Sequence, residues 1–476
     1  GCEFLVEVEI GAVTDHGQCR TFPMSQEMAQ GFDQNVQSLL TNQATDEYEI
    51  LMGCIPFSTE VELPGGFGTD LPTEPLIVAL LGIGFLFFLK NLDRLSGQFL
   101  RHPISILVLF HFSWIALTAL LSDNPGVSFK FFLAKTWYIG VFYFLAGHLI
   151  SDEKKLREMI WWMVPGLIFT IGFCTIKHAS YGFQFKYVNS AMLPFYRNKV
   201  MYSCLLAVVF PFVWLIARNT PRQRAAFKWL VFTIILCLIG IQLSYTRAAY
   251  IVIILAFFLY KILQKKLMGI ALGTFSVLMA VFLVFMSIGN RYLDFAPNFQ
   301  KTVEHKQFGN LLEATYKLED ISTMERVFRW VAGFQMIEKR PFFGYGPGTF
   351  TFFYEKSTIA SFETYVSDNP ERSGIHCYYL MTAVEQGVAG CLIFLFLSAF
   401  VMVRGERIYH QTSDVGRRRM LLMAWLSFVI IALLMMMNDL VETDKVGSFF
   451  WICCAVVANV DIENKLEKQR FLKEND

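Results

Sequence analysis

The sequence predicts an all-α integral membrane protein of about twelve transmembrane helices, eleven clear and one short at the start, with one long helical loop on the non-cytoplasmic side. Three observations predict it. Of 476 residues 54% are hydrophobic and only 17% charged, against roughly 45–50% and 25% in an ordinary soluble domain. The apolar residues gather into blocks long enough to cross a bilayer, which takes about 20 residues each. The connectors between blocks alternate between rich and poor in Lys and Arg, which assigns their sides. The formal net charge of +1 carries no signature of an anionic partner, so the lipid bilayer is the expected surrounding and nucleic acid is not.

Apolar blocks fall near 75–89, 104–121, 131–150, 159–176, 200–217, 229–244, 248–261, 267–288, 377–403, 420–437 and 446–460. The basic connectors carry Lys90, Arg94 and Arg101; Lys154, Lys155 and Arg157; Arg218, Arg222, Arg224 and Lys228; Lys261, Lys265 and Lys266; and Arg404, Arg407, Arg417, Arg418 and Arg419. By the positive-inside rule these are cytoplasmic. The connectors 122–130, 177–199, 244–247, 289–375 and 438–446 then face outward. The segment 177–199 is an exception to the pattern, with Lys177, Lys186, Arg197 and Lys199.

The stretch 49–59 is apolar but too short to span alone and reads as the stub of a first span, followed by an outward loop 60–73 without Lys or Arg. Residues 1–47 are polar, match neither a signal peptide nor a membrane span, and stay unassigned. The expected organisation is a first membrane bundle over 48–288, a loop domain over 289–375, a second part of the bundle over 376–460 and a cytoplasmic tail over 461–476. Of the ten cysteines, six lie within blocks, where Cys behaves as a small hydrophobe. No CxxC or zinc spacing occurs.

Charge is expensive in hydrocarbon, so ionisable groups at span ends facing a cavity are functional candidates. Three places qualify. In SYTRAAY (244–250), Arg247 stands at a sharp outward turn, where a snorkelling interfacial Arg is the bland reading. In the long loop, TMERVFRWVAGFQMIEKRPFFGYGPGTF (323–350) reads as an amphipathic helix with Met324, Val327, Val331, Phe334 and Ile337 at helical spacing, ended by Pro341 and followed by a glycine-rich turn. Arg326, Arg329, Lys339 and Arg340 supply its cations, and a solvated helix face is their bland reading. GYGPGT lacks the third Gly of a dinucleotide fingerprint. The third place is GIHCYYLMTAVEQGVAG (374–390), where His376 opens a span. Glu385 lies half a helical rotation away and about 13 Å deeper, too far to pair with His376, and reads as a buried polar anchor. No outward loop gathers the ligands of a divalent metal; Glu304 and His305 come nearest and read as a solvated pair.

The order of these signals carries more than each alone. S-x-[ST]-R at a tight outward turn, R-x-x-x-W on a loop helix followed by P-x-x-G-x-G, then H-x-x-Y-L opening a span that continues E-x-G-x-x-G, resembles the O-antigen ligase and polymerase superfamily from about Ile55 to Val460. Ser244, Thr246, Arg247, Arg326, Trp330, Pro341, Gly344, Gly346, His376, Leu380, Glu385, Gly387 and Gly390 carry the resemblance. The stretch 56–75 also looks like that of ligase-type members from Bacteroidetes-like bacteria. Where members commonly have Asn after the His, this chain has Cys377.

The resemblance implies a glycosyltransferase of the bacterial inner membrane with its site facing the periplasm. It implies transfer of a glycan from undecaprenyl diphosphate to a hydroxyl of lipid A core or another glycan, with neither metal nor cofactor. The donor already has a good leaving group, so the protein must stabilise developing charge and activate an acceptor oxygen. Arg247 and Arg326 are assigned to the diphosphate, which guanidinium forks suit, with Arg329 as a further substrate-binding cation. His376 is assigned as general base. Ligation is the first reading and polymerisation of lipid-linked repeats the second. A transporter of a lipid-linked or anionic solute is the rival of another class. It should show charges near the midplane or broken helices in related halves, whereas the charges here cluster at one face.

Overall fold

The computed structural model describes residues 42–63, 67–90, 97–296, 320–364, 367–369 and 373–475. Glu304 and His305 lie outside them. Helices stand at each of the eleven apolar blocks: α2 (Thr73–Lys90), α3 (Pro103–Leu120), α4 (Pro125–Ile139, continued by a π-helical stretch Gly140–Leu145 and by Ala146–Leu149), α5 (Glu153–Ser180), α6 (Lys199–Arg218), α7 (Ala225–Leu243), α8 (Arg247–Gln264), α9 (Met268–Ser287), α11 (Tyr378–Gln411), α12 (Val415–Leu434) and α13 (Asp444–Asn475). The loop helix, α10, is Ile321–Lys339.

Eight of these are long and apolar enough to cross a membrane, and the chain is a multi-pass membrane protein. Two of the other three depart for visible reasons. The wide π turns interrupt α4, and Arg417, Arg418 and Arg419 open α12, while α2 is apolar from Leu76 to Leu89.

Many helix starts are written into the sequence as capping residues. Asn124, Asp152, Asn198, Asp320 and Asp414 each accept a backbone N–H from the first turn of the helix they precede, which satisfies donors that have no partner inside the helix.

The first segment differs from expectation. Helix α1 covers 42–54, starting before the apolar stretch and ending within it. A 3-10 turn Ile55–Phe57 and an antiparallel hairpin follow, β1 (Thr59–Leu63) and β2 (Phe67–Leu71). What reads as a span stub and loop is thus a short helix packed on α5, with the Gly53 backbone close to the Trp162 carbonyl, and a β-ribbon. The ribbon alternates small, polar and apolar residues too briefly to register as strand. It is fastened by the head of α13: the Lys445 ammonium donates to the Ile55 and Ser58 carbonyls at 2.9 and 3.0 Å, and Thr73 donates to the Asp444 carboxylate at 2.8 Å.

Helices α6, α12 and α13 form the buried centre, where Phe212, Trp425, Phe450 and Trp451 pack. Helices α8 and α9 are mostly exposed, presenting Ile251, Phe257, Phe258, Phe275, Phe282 and Phe285 outward. In an aqueous protein that surface would be intolerable; against lipid it is the expected one.

Contacts sort the connectors into two groups, one at each end of the bundle. At one end His102 and Arg404 share Asp461, Arg419 pairs with Glu153, and Glu406 accepts from the first amide of α9. At the other, Arg340 pairs with Asp123, Thr246 bonds the Lys199 carbonyl, and the Tyr378 amide bonds the Met435 carbonyl. The first group is the basic one of the sequence. The described part of the long loop belongs wholly to the second.

Candidate active site

The tight turn between α7 and α8 holds itself together. The Ser244 hydroxyl donates to the Ile241 carbonyl at 2.6 Å and accepts from the Thr246 amide at 3.2 Å, while Tyr245 takes a left-handed φ of 53°. Thr246 then ties the turn to the start of α6, donating to the Lys199 carbonyl at 3.3 Å. This sets Arg247 at the first position of α8. Its guanidinium donates to Asp320 at 3.1 Å, a carboxylate that is almost fully buried.

Asp320 is also the cap of α10, accepting from the Thr323 amide at 3.1 Å and the Thr323 hydroxyl at 2.6 Å. The link from Arg247 therefore draws the start of the loop helix over the bundle end. Arg326, nearly two turns along, comes into the electrostatic range of Arg247, Asp320, Asp439 and Cys204 of α6. Burial, then the like charge of Arg247, lowers its pKa. An arginine nonetheless stays cationic in a protein. Among the described residues its guanidinium has neither hydrogen-bond nor ion-pair partner. The two guanidiniums are near enough to repel each other, which an anion beside them would relieve.

The same face of α10 carries different duties a turn later. Arg329 is buried with Glu325, 3.5 Å apart. Its guanidinium donates to the Asn369 side chain at 3.3 Å and to the Gly374 carbonyl at 3.4 Å. Trp330 donates to the Ile375 carbonyl at 3.0 Å, and Asn369 closes a loop on Ser373 at 2.9 and 3.1 Å. The predicted apolar stripe is thus partly misplaced: Phe334 is 48% exposed, while Glu325, Phe328, Arg329 and Met336 are inside. Hydrophobic periodicity scores Glu and Arg as solvent-facing, and here they neutralise each other in the interior. Arg329 is engaged in holding Asn369 and Gly374.

That segment delivers His376, whose φ of 58° is unusual for a residue with a side chain. Among the described residues its ring makes no hydrogen bond. Its pKa is pushed down to about 3, by burial first and then by Arg326 and Arg329. The imidazole is therefore neutral at pH 7, with its lone pair free of a proton although burial and the two cations weaken its basicity. Cys377, at the following position, makes no capping bond to α11.

Asp439, in the turn between α12 and α13, completes the surroundings. A Cβ on Gly374 would lie 2.1 Å from its carboxylate, so any larger residue there would displace Asp439. Its pKa is raised chiefly by burial, against the lowering effect of Arg329 and Arg326. Neither Asp439 nor Asp320 stands out in the motifs. Asp320 carries the signal of a helix cap ahead of a periodic run, and Asp439 that of an acid at a span end.

The glycine-rich turn after α10 is a docking device. Glu385 accepts from the Gly348 amide at 2.8 Å and the Phe350 amide at 3.0 Å, and the Glu385 carbonyl accepts from the Gly346 amide at 2.8 Å. Helix α11 breaks at Gly387 (φ 75°, ψ 171°), letting the Pro341 carbonyl accept the Val388 amide at 2.7 Å. A Cβ on Gly346 would meet the Ser122 hydroxyl at 1.9 Å, and one on Gly387 the Phe342 carbonyl at 1.9 Å. The two glycine motifs of the sequence are thus the two halves of one contact.

Residues 232–395 match the family model described as O-antigen ligase. This stretch is an O-antigen ligase domain. The ligase domain runs from within α7 to within α11 and contains Arg247, Arg326, Arg329, His376 and the whole glycine contact, while Asp439 lies beyond it. The superfamily supports an O-antigen ligase or polymerase type of function. A comparison with curated proteins finds no match. Among the described residues no three His, Cys, Asp or Glu side chains are grouped to hold a metal ion.

Proposed function

We propose that the protein is a glycosyltransferase that moves a glycan from undecaprenyl diphosphate to a hydroxyl of lipid A core, at the periplasmic face of the bacterial inner membrane. The observation that carries this reading is the meeting of Arg247, Arg326 and a neutral His376 at one end of the bundle although they lie far apart in sequence.

In this mechanism the two guanidiniums hold the diphosphate oxygens, each able to present paired donors. Asp320 aims Arg247, and Asp439 offsets the charge of Arg326 while the site is empty. The acceptor hydroxyl gives its proton to His376 as its oxygen bonds the anomeric carbon. The bond from that carbon to the phosphate oxygen breaks in the same displacement, inverting the centre, and the lipid diphosphate departs with the electron pair. Arg329 acts one step back, by fixing the backbone that presents His376. No metal enters the scheme.

The polymerase reading shares every step and differs in its acceptor. Deleting the gene in its native host and running the lipopolysaccharide on a gel separates the two. A ligase leaves no ladder and accumulates lipid-linked polymer; a polymerase leaves core carrying a single repeat. Purified protein should transfer glycan in EDTA, and rescue of a chelated, inactive sample by magnesium or manganese would remove metal independence from the scheme.

A further inference from the structure

After α10 the loop turns back toward the membrane. Arg340 pairs with Asp123, the first charged residue beyond α3, at 2.6 Å, and its guanidinium lies over the Tyr345 ring at 4.9 Å. The Tyr345 carbonyl accepts from the Asp123 amide at 3.1 Å and from the Ser122 hydroxyl at 3.2 Å. Arg340 and Tyr345 therefore both stand at the outer end of α3. Between them the chain dips. The Phe343 ring stacks on Trp114 at 5.8 Å with 16° between the planes. Trp114 precedes Leu121 by seven residues, which is about 10 Å further down α3 by helical rise.

Polar backbone at that depth must find its partners within the protein. Pro341 has no amide to satisfy, and its carbonyl accepts from the Val388 amide at 2.7 Å. The Tyr345 and Gly346 amides donate to the Val384 and Glu385 carbonyls at 3.1 and 2.8 Å. The side chains of the dip turn outward instead: Phe342 is 74% exposed and Phe343 45%. Both flanks of this pair are lipid-facing helix. Phe110, Leu117 and Leu121 are exposed on the face of α3 that carries Trp114, and Val388 and Leu392 are exposed on α11 where Pro341 docks.

We propose that Phe342 and Phe343 are inserted among the phospholipid acyl chains of the leaflet at the active-site end, so that the loop is anchored in the bilayer as well as in the bundle. Continuity assigns the occupant, because the pair extends a surface that α3 and α11 already give to lipid. Phe342 is too exposed to line a cleft for one isoprenoid chain. Arg340 and Tyr345 mark the headgroup level above the pair, where a cation and a phenol hydroxyl keep polar surroundings. In water the same residues would enlarge an apolar patch. Helix α10 is then held at both ends, by the Asp320–Arg247 pair at its start and by the inserted rings just past its last residue.

The test places the photoreactive residue p-benzoylphenylalanine at Phe342 of the full chain in vesicles of phosphatidylethanolamine and phosphatidylglycerol, with irradiation followed by mass spectrometry. The adduct should carry the mass of a phospholipid, as it should with the same residue at Phe282 on the lipid-facing side of α9, and no lipid adduct should form at Ser361. Absence of a lipid adduct at 342 while Phe282 gives one overturns the insertion, as does a covalent dimer in its place. In vesicles that also contain undecaprenyl phosphate, adducts with that lipid should follow its mole fraction. A clear excess would assign the surface to the isoprenoid chain and overturn the proposal. Should the substituted chain fail to enter the membrane, Phe342→Leu and Phe342→Asp decide the matter: leucine should keep the wild-type melting temperature in vesicles and aspartate should lower it, and equal values for the two would overturn the proposal.

Discussion

Arg247 holds Asp320, the residue that caps the helix carrying Arg326. One ion pair therefore sets the distance between the two guanidiniums. Arg247→Ala and Arg326→Ala should each lower transfer by at least about a hundredfold, with Lys restoring little because it lacks the paired fork. Asp320→Asn, which can still cap α10, should lower transfer while leaving melting temperature nearly unchanged. Asp320→Ala should also lose about 1 kcal/mol of cap stability. Thermal melts beside initial rates distinguish these effects, and full activity in Asp320→Asn would show that the pair does not set the geometry.

His376 should give the enzyme an unusual acid limb. A lowered pKa means that the imidazole loses its proton at lower pH and stays neutral over a wider range. As a base it should thus support kcat/KM without decline from pH 8 to about 5.5, where an ordinary His of pKa about 6.5 would already be mostly protonated. His376→Ala should lower kcat by roughly 10²–10⁴ with little change in donor affinity. A profile falling with a midpoint near pH 6.5 would contradict the buried, cation-flanked environment.

Arg329 should behave as a positioning residue. Arg329→Lys keeps the charge beside Glu325 and loses the fork to Asn369 and Gly374, so kcat should fall roughly tenfold or more while donor KM and the pH profile stay as they are. A rise in donor KM comparable to that of Arg326→Ala would return Arg329 to the substrate-binding role given to it by the sequence.

The glycine contact should be intolerant of a single methyl. Gly346→Ala and Gly387→Ala place a Cβ on a hydroxyl and on a backbone carbonyl respectively, at positive φ, where handedness alone costs about 1–2 kcal/mol. Both should lower the melting temperature by more than Gly269→Ala, whose Cβ would meet nothing. Glu385→Ala, which strands two amides, should be comparably destabilising. Equal melting temperatures for all four variants would discount the docking.

Sidedness can be read directly. Ser361, in the described part of the long loop, is exposed, so Ser361→Cys should react with a membrane-impermeant thiol reagent once the outer membrane is permeable. Reaction only after the inner membrane is broken would reverse the topology and with it the mechanism.

Helix positions were legible because lipid demands long apolar runs, and a helix stands at each of the eleven long ones. What the pattern hid follows from the same physics. Glu325 and Arg329 are charged residues inside a packed face, invisible to any scale that counts charge as solvent-seeking. The hairpin at 59–71 depends on Lys445 and Asp444, nearly four hundred positions away, and no local propensity reports a distant clamp. The motif glycines were legible as a pattern, and their reason was not: Gly387 is required by the Phe342 backbone and Gly346 by Ser122 and Ser128. Asp439 faces Gly374 only because two connectors fold onto one another.

The break in α11 at Gly387 also bears on how such proteins can be recombined. The loop is not an insert hung between two spans, because its glycine turn is plugged into the opened helix and against Ser122 and Ser128. A chimera exchanging 289–375 alone would separate a plug from its socket. The smallest portable unit runs from Asp320 through Gly390 and brings the 122–128 corner with it, so the loop travels between relatives only as a piece of the membrane bundle.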